Sequence, residues 1–269
     1  MSDSTDGTGA SGSAALDRAL SIMEYLAREE APRALSEIIS DVGGPKATTH
    51  RLLSTLCSRG YLRQNAESEY SLGIRCFEIG SMWAGSRELR SVAGPHLAAL
   101  NDVTRETVVM GVYEQGSVVY VEKVSSPQPV VATTELGSRC PARLVATGRV
   151  LLAYQEPDEI GRQLAVAGEE GATGGEELQH ALVEVRRQGF AVTRDTYRTA
   201  VSGIGAPLRD HTGRVVAAVG LVVPSERFSA DRVDLLRQQT LDCSLAITAE
   251  LGGPREPILV GAEGRAAGR

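Results

Sequence analysis

Aromatic side chains are scarce in this chain: one Trp, three Phe and seven Tyr make up only 4% of its 269 residues. A groove that stacks single-stranded nucleic acid ring upon ring cannot be built from so few. Cysteine is as sparse. Cys57, Cys76, Cys140 and Cys243 stand far apart with no Cys-x-x-Cys, which argues against a disulfide framework or a zinc ribbon and fits a reducing cytoplasm. No apolar run approaches the roughly 20 residues of a membrane span. Residues 1–13 have neither the basic region nor the apolar run of a secretory leader, so a soluble, cytoplasmic protein is expected. Excess positive charge is missing too. A net charge of −6 weighs against a non-specific DNA coater, though not against a specific binder whose positive charge is local.

What is present is a globular composition, 42% hydrophobic and 23% charged, in a chain long enough for a small module and a larger one. Residues 1–13 and the Gly/Pro-rich stretch 253–269 read as disordered ends, and no internal repeat is found. Leu16, Ala19, Leu20, Met23, Leu26 and Ala27 recur at helical spacing and form one apolar stripe. Pro32 ends that helix. Ser36 is placed to cap a short second one carrying Leu35, Ile38, Ile39 and Val42. Gly43-Gly44 then makes a tight turn, and Pro45 opens a third helix running to Arg59. Two short strands around the polar turn 65–68 complete the order helix, helix, turn, helix, hairpin, which is that of a winged helix-turn-helix over residues 14–73.

A linker helix is expected at 74–90, followed by a second domain at 91–252. Strands are predicted at 107–113, 117–124, 130–136, 190–193, 202–209 and 215–223, with helices before, between and after them. A mixed sheet flanked by helices, an α+β sensor-like domain, is the architecture this order implies.

In a helix-turn-helix, residues at the start of the second helix reach base edges in the major groove. Here these are Lys46, Ala47, Thr48, Thr49, His50 and Arg51. Lys and Arg match guanine acceptors, and Thr and Ala methyls can touch thymine. The helical spacing turns Thr49 toward the core more than the groove. Ser36, Arg59 and Arg63 are better placed for phosphates, which fix position without reading sequence.

The run Leu35-Ser36-Glu37-Ile38 … Pro45-Lys46-Ala47-Thr48-Thr49-His50-Arg51-Leu52-Leu53 resembles the isocitrate-lyase-regulator (IclR) family of bacterial regulators. So do Gly60-Tyr61-Leu62, Tyr70-Ser71-Leu72-Gly73 and, in the second half, Gly137-Ser138-Arg139-Cys140-Pro141 with Ala146-Thr147-Gly148-Arg149. Ile204-Gly205-Ala206-Pro207-Leu208-Arg209-Asp210 and Gly213-Arg214-Val215-Val216-Ala217-Ala218 extend the similarity, which covers about residues 14–252. The resemblance implies a GAF-like effector domain and operator binding as a homodimer, with homotetramers formed as dimers of dimers. It also implies control by a small organic acid, with members acting as repressors or activators.

Carried over by position, the family's effector contacts fall on Ala146, Thr147, Thr193, Gly203, Gly220 and Val222, with Cys140 and Leu144 lining the same mouth. Relatives that bind glyoxylate or pyruvate carry Asp, Cys or Ser at several of these places. The smaller, less polar set here implies a roomier pocket suited to an aromatic or longer acid. Unsatisfied N–H groups at the helix start by Ala146 and Thr147 would suit its carboxylate.

No cofactor or metal is expected. His96, His180 and His211 are dispersed, and neither Gly203-x-Gly205 nor the 171–175 glycines have phosphate-loop neighbours. Two other readings stay open at this point. One is an enzyme on the GAF-like domain with Cys140 as thiol nucleophile, which would need a base within reach. The other is a ligand-free architectural DNA binder.

Overall fold

The computed structural model describes residues 8–81, 84–132, 134–171 and 173–254. It divides into two compact units between Arg87 and Glu88.

The first unit is three helices and a hairpin. Helix α1 (Thr8–Arg28) begins inside the stretch expected to be a disordered leader. Its buried residues are Ile22 and Leu26, whereas Leu16 and Leu20 remain 63% and 50% exposed. The apolar stripe read from the sequence therefore splits, and only part of it packs within the unit. Helix α2 (Leu35–Val42) has Ala34 at its N-cap, two residues before the cap expected at Ser36. Ser36 lies within the first turn and is not the cap; Glu37 Oε2 instead accepts from the Ala34 N–H at 2.8 Å. Gly43 and Gly44 both have left-handed backbones (φ +74° and +97°), which is why two glycines stand at this turn.

Helix α3 (Lys46–Ser58) buries Thr49 and Leu53 completely and packs Leu52 and Leu56 on the same core. Strands β1 (Leu62–Gln64) and β2 (Tyr70–Leu72) pair antiparallel with Leu62 opposite Leu72. Tyr70 also exchanges two backbone hydrogen bonds with Arg33, at 2.8 and 2.9 Å, which fastens the hairpin to the segment before α2.

Helix α4 (Ile74–Ser81) follows, and helix α5 (Ala84–Thr104) runs without a break through position 91. Residues 82 and 83, which separate these two spans, lie outside the described residues; α5 continues past position 90, where the linker helix was expected to end.

The larger unit is built on a six-stranded sheet. Its strands are β3 (Thr107–Glu114), β4 (Ser117–Val124), β5 (Arg139–Pro141), β6 (Ala191–Arg194), β7 (Val201–Arg209) and β8 (Val215–Pro224). They lie in the order β5-β4-β3-β8-β7-β6. Every pairing is antiparallel, a correction to the mixed sheet expected from the sequence. Residues 130–136 form no strand where described; the edge is the three-residue β5, too short to show a period.

Alternation sorts the strand side chains onto two faces. Val108, Met110, Ile204, Ala206, Leu208, Val219 and Leu221 pack with α5 and with α9 (Ala230–Glu250). Val109, Ala218 and Val222 face the other side, covered by α6 (Ala146–Ala153), α7 (Pro157–Glu170) and α8 (Gly174–Gln188). At one end the fully buried Glu106 carboxylate is held by Arg227 (2.7 and 2.9 Å) and Arg232 (2.9 Å), tying β3 to the segment after β8. Two guanidinium groups offset a desolvation cost that a lone buried carboxylate could not bear.

Helix α6 lies unusually close to the sheet. A Cβ on Gly205 would sit 2.8 Å from Thr147 N, and one on Gly220 would sit 2.6 Å from both Thr147 Cγ2 and Ile204 O. Gly205 and Gly220 face each other across β7 and β8, so together they form a smooth seat for the first turn of α6. Gly220 is therefore a packing glycine, and the open space expected beside it is filled by Thr147. Gly220→Ala should overpack this seat and destabilise the protein by ~1–3 kcal/mol, read as a lowered midpoint in urea unfolding. An unchanged midpoint would show that the helix moves away without cost.

Candidate functional site

Two surfaces carry candidate functional residues, one in each unit. In the first, Lys46, Ala47, His50, Arg51 and Ser54 are exposed and lie at helical spacing on one side of α3, with Thr48 half-buried beside them. Thr49 is wholly buried, and its hydroxyl bonds back to Pro45 O at 3.3 Å, so it packs the core and is withdrawn from the groove-facing set. Ser36 and Arg59 are exposed, Ser36 in the first turn of α2 and Arg59 at the end of α3. Arg63 is exposed on β1, where its Nε donates to Ser71 Oγ at 2.9 Å. Arg18 was not singled out by sequence. Its guanidinium lies across the turn, where a Cβ on Gly44 would come within 2.6 Å of Arg18 Cζ.

In the larger unit a cavity of about 280 Å³ opens between the start of α6, the sheet and two loops. Of the residues carried over from the family, Cys140, Leu144, Ala146, Thr147, Thr193, Gly203 and Val222 line it, and Gly220 does not. Gly203 offers no spare room, because an added Cβ would meet Leu221 O at 3.2 Å and Thr193 Oγ1 at 3.4 Å. The space instead lies beyond the sheet glycines, enclosed by Val109, Tyr120, Val145 and Val201 and by Thr196, Tyr197 and Arg198 of the loop joining β6 to β7. None of these had a local signal in the sequence; they converge only when β4, α6 and the 195–200 loop are brought together.

The inner wall is polar but uncharged. Tyr120 Oη lies 3.3 Å from Thr147 Oγ1, and both residues are only 3% exposed. Burial pushes the Tyr120 phenol well above its ordinary value and keeps it neutral. Thr193 is 6% exposed, and its hydroxyl makes no hydrogen bond among the described residues. Burial raises the Cys140 thiol as well, against the lowering pull of Tyr197 and Arg198, which disfavours the thiolate a nucleophile needs. Among the described residues no histidine lines the cavity, and no group of His, Cys, Asp and Glu is placed to hold a metal ion. No helix among them is long and apolar enough to cross a membrane.

The chain matches two family models, the IclR helix-turn-helix domain over residues 15–66 and the bacterial transcriptional regulator IclR C-terminal domain over residues 82–249. It is 29% identical to the HTH-type transcriptional regulator XynR of Escherichia coli over 89% of this chain and 97% of that one. It is 30% identical to the E. coli regulator KdgR over 83% and 88% of the two chains. Its fold is that of an IclR homolog from Microbacterium hydrocarbonoxydans solved with 4-hydroxybenzoate, with a TM-score of 0.79 at 24% identity over 88% of this chain and 98% of that one. The order of elements, the exposed face of α3 and both matched halves agree: this chain belongs to the IclR family of bacterial DNA-binding transcriptional regulators, a family of regulators and not of enzymes.

Proposed function

We propose that this regulator reads its operator through α3 and is controlled by a small organic acid, an aromatic carboxylate, held in the cavity beside α6. The observation that carries the reading is the cavity itself. A space of about 280 Å³ is closed by β-strands, a helix start and a loop in a chain that binds DNA elsewhere. An engineered apolar cavity of about 150 Å³ admits benzene, so a substituted ring fits here. The solved relative that holds 4-hydroxybenzoate supports the same ligand class. Cys140, Leu144, Ala146, Thr147, Thr193, Gly203 and Val222 are the effector contacts in this reading. On the DNA side, Lys46, Ala47, Thr48, His50 and Arg51 face the bases, while Ser36, Arg59 and Arg63 reach phosphates. Control then follows from linkage: an effector that prefers one arrangement of the paired DNA-binding units shifts operator affinity, and a coupling of ~1–3 kcal/mol is enough.

One helix-turn-helix reads too few base pairs for genomic specificity, so a homodimer, or a dimer of dimers, on a pseudo-palindromic site completes the proposal. Of the apolar residues on helix 1 and in the 74–90 segment that could make that contact, Ile22 is fully buried in its own unit and is excluded, and Met82 and Trp83 lie outside the described residues. Leu20 and Ile79 remain, at 50% and 47% exposed, and are joined by Leu16, Ile74 and Phe77 at 63%, 69% and 70%. So much uncovered apolar surface on one small unit is what an association face looks like.

Arg51→Ala should weaken operator binding by ~1–3 kcal/mol in a gel-shift titration while leaving non-cognate DNA little changed. Arg63→Ala should instead weaken all sequences alike and lower the salt slope. Equal operator affinity for Arg51→Ala and the wild type would remove Arg51 from the base-reading set. Light scattering at micromolar concentration should find a dimer or tetramer, and a monomer both with and without operator DNA would defeat the assembly proposed. Benzoate-type acids should raise the melting temperature by mass action while glyoxylate does little at equal concentration; the reverse order would exclude an aromatic effector.

A further inference from the structure

The wall of the cavity is uneven in thickness. Tyr120, Thr147, Thr193 and Cys140 line it and are each at most 7% exposed. By contrast, every residue from Arg194 to Ala200 is exposed, yet Thr196, Tyr197 and Arg198 of this stretch line the same cavity. Residues that border an interior space on one side and solvent on the other form a cover one residue thick. A ring-sized molecule reaches the buried hydroxyls only if part of the wall moves.

Two loops border the space, and they are fastened differently. In loop 134–139 the Gly137 N–H donates to Tyr120 O at 2.8 Å and Ser138 O accepts from the Tyr120 N–H at 3.2 Å, so backbone bonds hold it to β4. Loop 195–200 is pinned only at its ends, and both ends are pinned to one residue. Ser225 Oγ donates to Asp195 Oδ1 at 2.8 Å, and the Ser225 N–H donates to Ala200 O at 2.9 Å. The Asp195 N–H closes the base of the loop on Val201 O at 3.0 Å. Both end residues have left-handed backbones, φ +54° at Asp195 and +62° at Ala200. Aspartate tolerates that region, whereas alanine occupies it at a cost, because its Cβ crowds the following carbonyl. Between the pinned ends, contacts across the opening come from side chains. Thr196 Oγ1 donates to Leu144 O at 2.7 Å, and Tyr197 comes close enough to the Cys140 thiol to hydrogen-bond it.

Building on the effector reading above, we propose that residues 196–199 are a lid over the cavity, hinged at Asp195 and Ala200 and latched by the Thr196 hydroxyl on Leu144 O. Opening breaks the latch, uncovers the buried wall and releases Ala200 from its left-handed conformation. Closure restores all three. The lid sets how fast an effector enters and leaves, and an effector that touches Thr196 or Tyr197 holds it shut.

The lid can be followed with no effector present, through the thiol beneath it. The full chain is treated with iodoacetamide under native conditions, and alkylation of Cys140 and of Cys243 is timed by peptide mass spectrometry. Cys243 is buried too, at 9% exposed, but it lies on the other side of the sheet, where its Sγ meets His96 O, and it reports loosening of the whole unit. Thr196→Val removes the latch and should speed Cys140 alkylation about three- to tenfold, the loss of one hydrogen bond. Ala200→Gly relieves the closed form and should slow it about threefold or more. Cys243 should keep its wild-type rate in both variants. A Cys140 rate that is unchanged or moves the opposite way in either variant, or an equal change at both cysteines, overturns the lid. The effector reading then still stands, because the melting-temperature series with benzoate-type acids and glyoxylate tests it separately. If no acid binds in that series while the two variants shift Cys140 as expected, the effector reading fails and the lid is retained.

Discussion

The close seating of α6 on the sheet is the contact on which the larger unit depends. Gly205 and Gly220 are paired across β7 and β8, and any side chain on either would strike the first turn of the helix or the neighbouring backbone. The helix reaches that depth only because the two strands are smooth there. Its arrival puts Thr147 against Tyr120, gives the cavity its inner wall and leaves Ala146 facing the space beside Gly203. Had α6 stood a side chain's width farther out, the cavity would have been a wide cleft without a polar end.

The same economy of space explains why the site is assembled from distant parts of the chain. Tyr120 comes from β4 beside one edge of the sheet, Thr193 from the opposite edge strand, and Arg198 from the loop joining β6 to β7. The order β5-β4-β3-β8-β7-β6 puts β5 and β6 at opposite edges of the sheet, yet residues of both line the one cavity. Burial then separates the chemistry. Hydroxyls deep in the wall stay neutral, and charged groups collect where water still solvates them.

In the first unit the limiting constraint is the turn between α2 and α3. Two successive left-handed residues turn the chain sharply enough to set α3 across the core, burying Thr49 and Leu53 while its other side stays open. A three-helix core of this size has little apolar surface to spare, yet Leu16, Leu20, Ile74 and Phe77 are left uncovered. In the assembly proposed above, a second copy covers this apolar surface.

Helical spacing, the Gly-Gly-Pro turn and the hairpin determined the winged helix-turn-helix from the sequence alone, because each is a local signal that needs no distant contact. The β-rich runs of β3, β4, β7 and β8 were legible for the same reason, and the ordered motifs of both halves carried the family. Tertiary structure alone decided which of two neighbouring stripes on α1 is core, since Ile22 and Leu20 are equally apolar and only one meets α2 and α3. It likewise decided that Gly220 seats a helix and does not widen a pocket, and that Tyr120, Thr193 and Arg198 share one cavity. These are questions of which surfaces meet, and composition and periodicity are blind to them: they record how a segment is patterned, not what comes to lie against it.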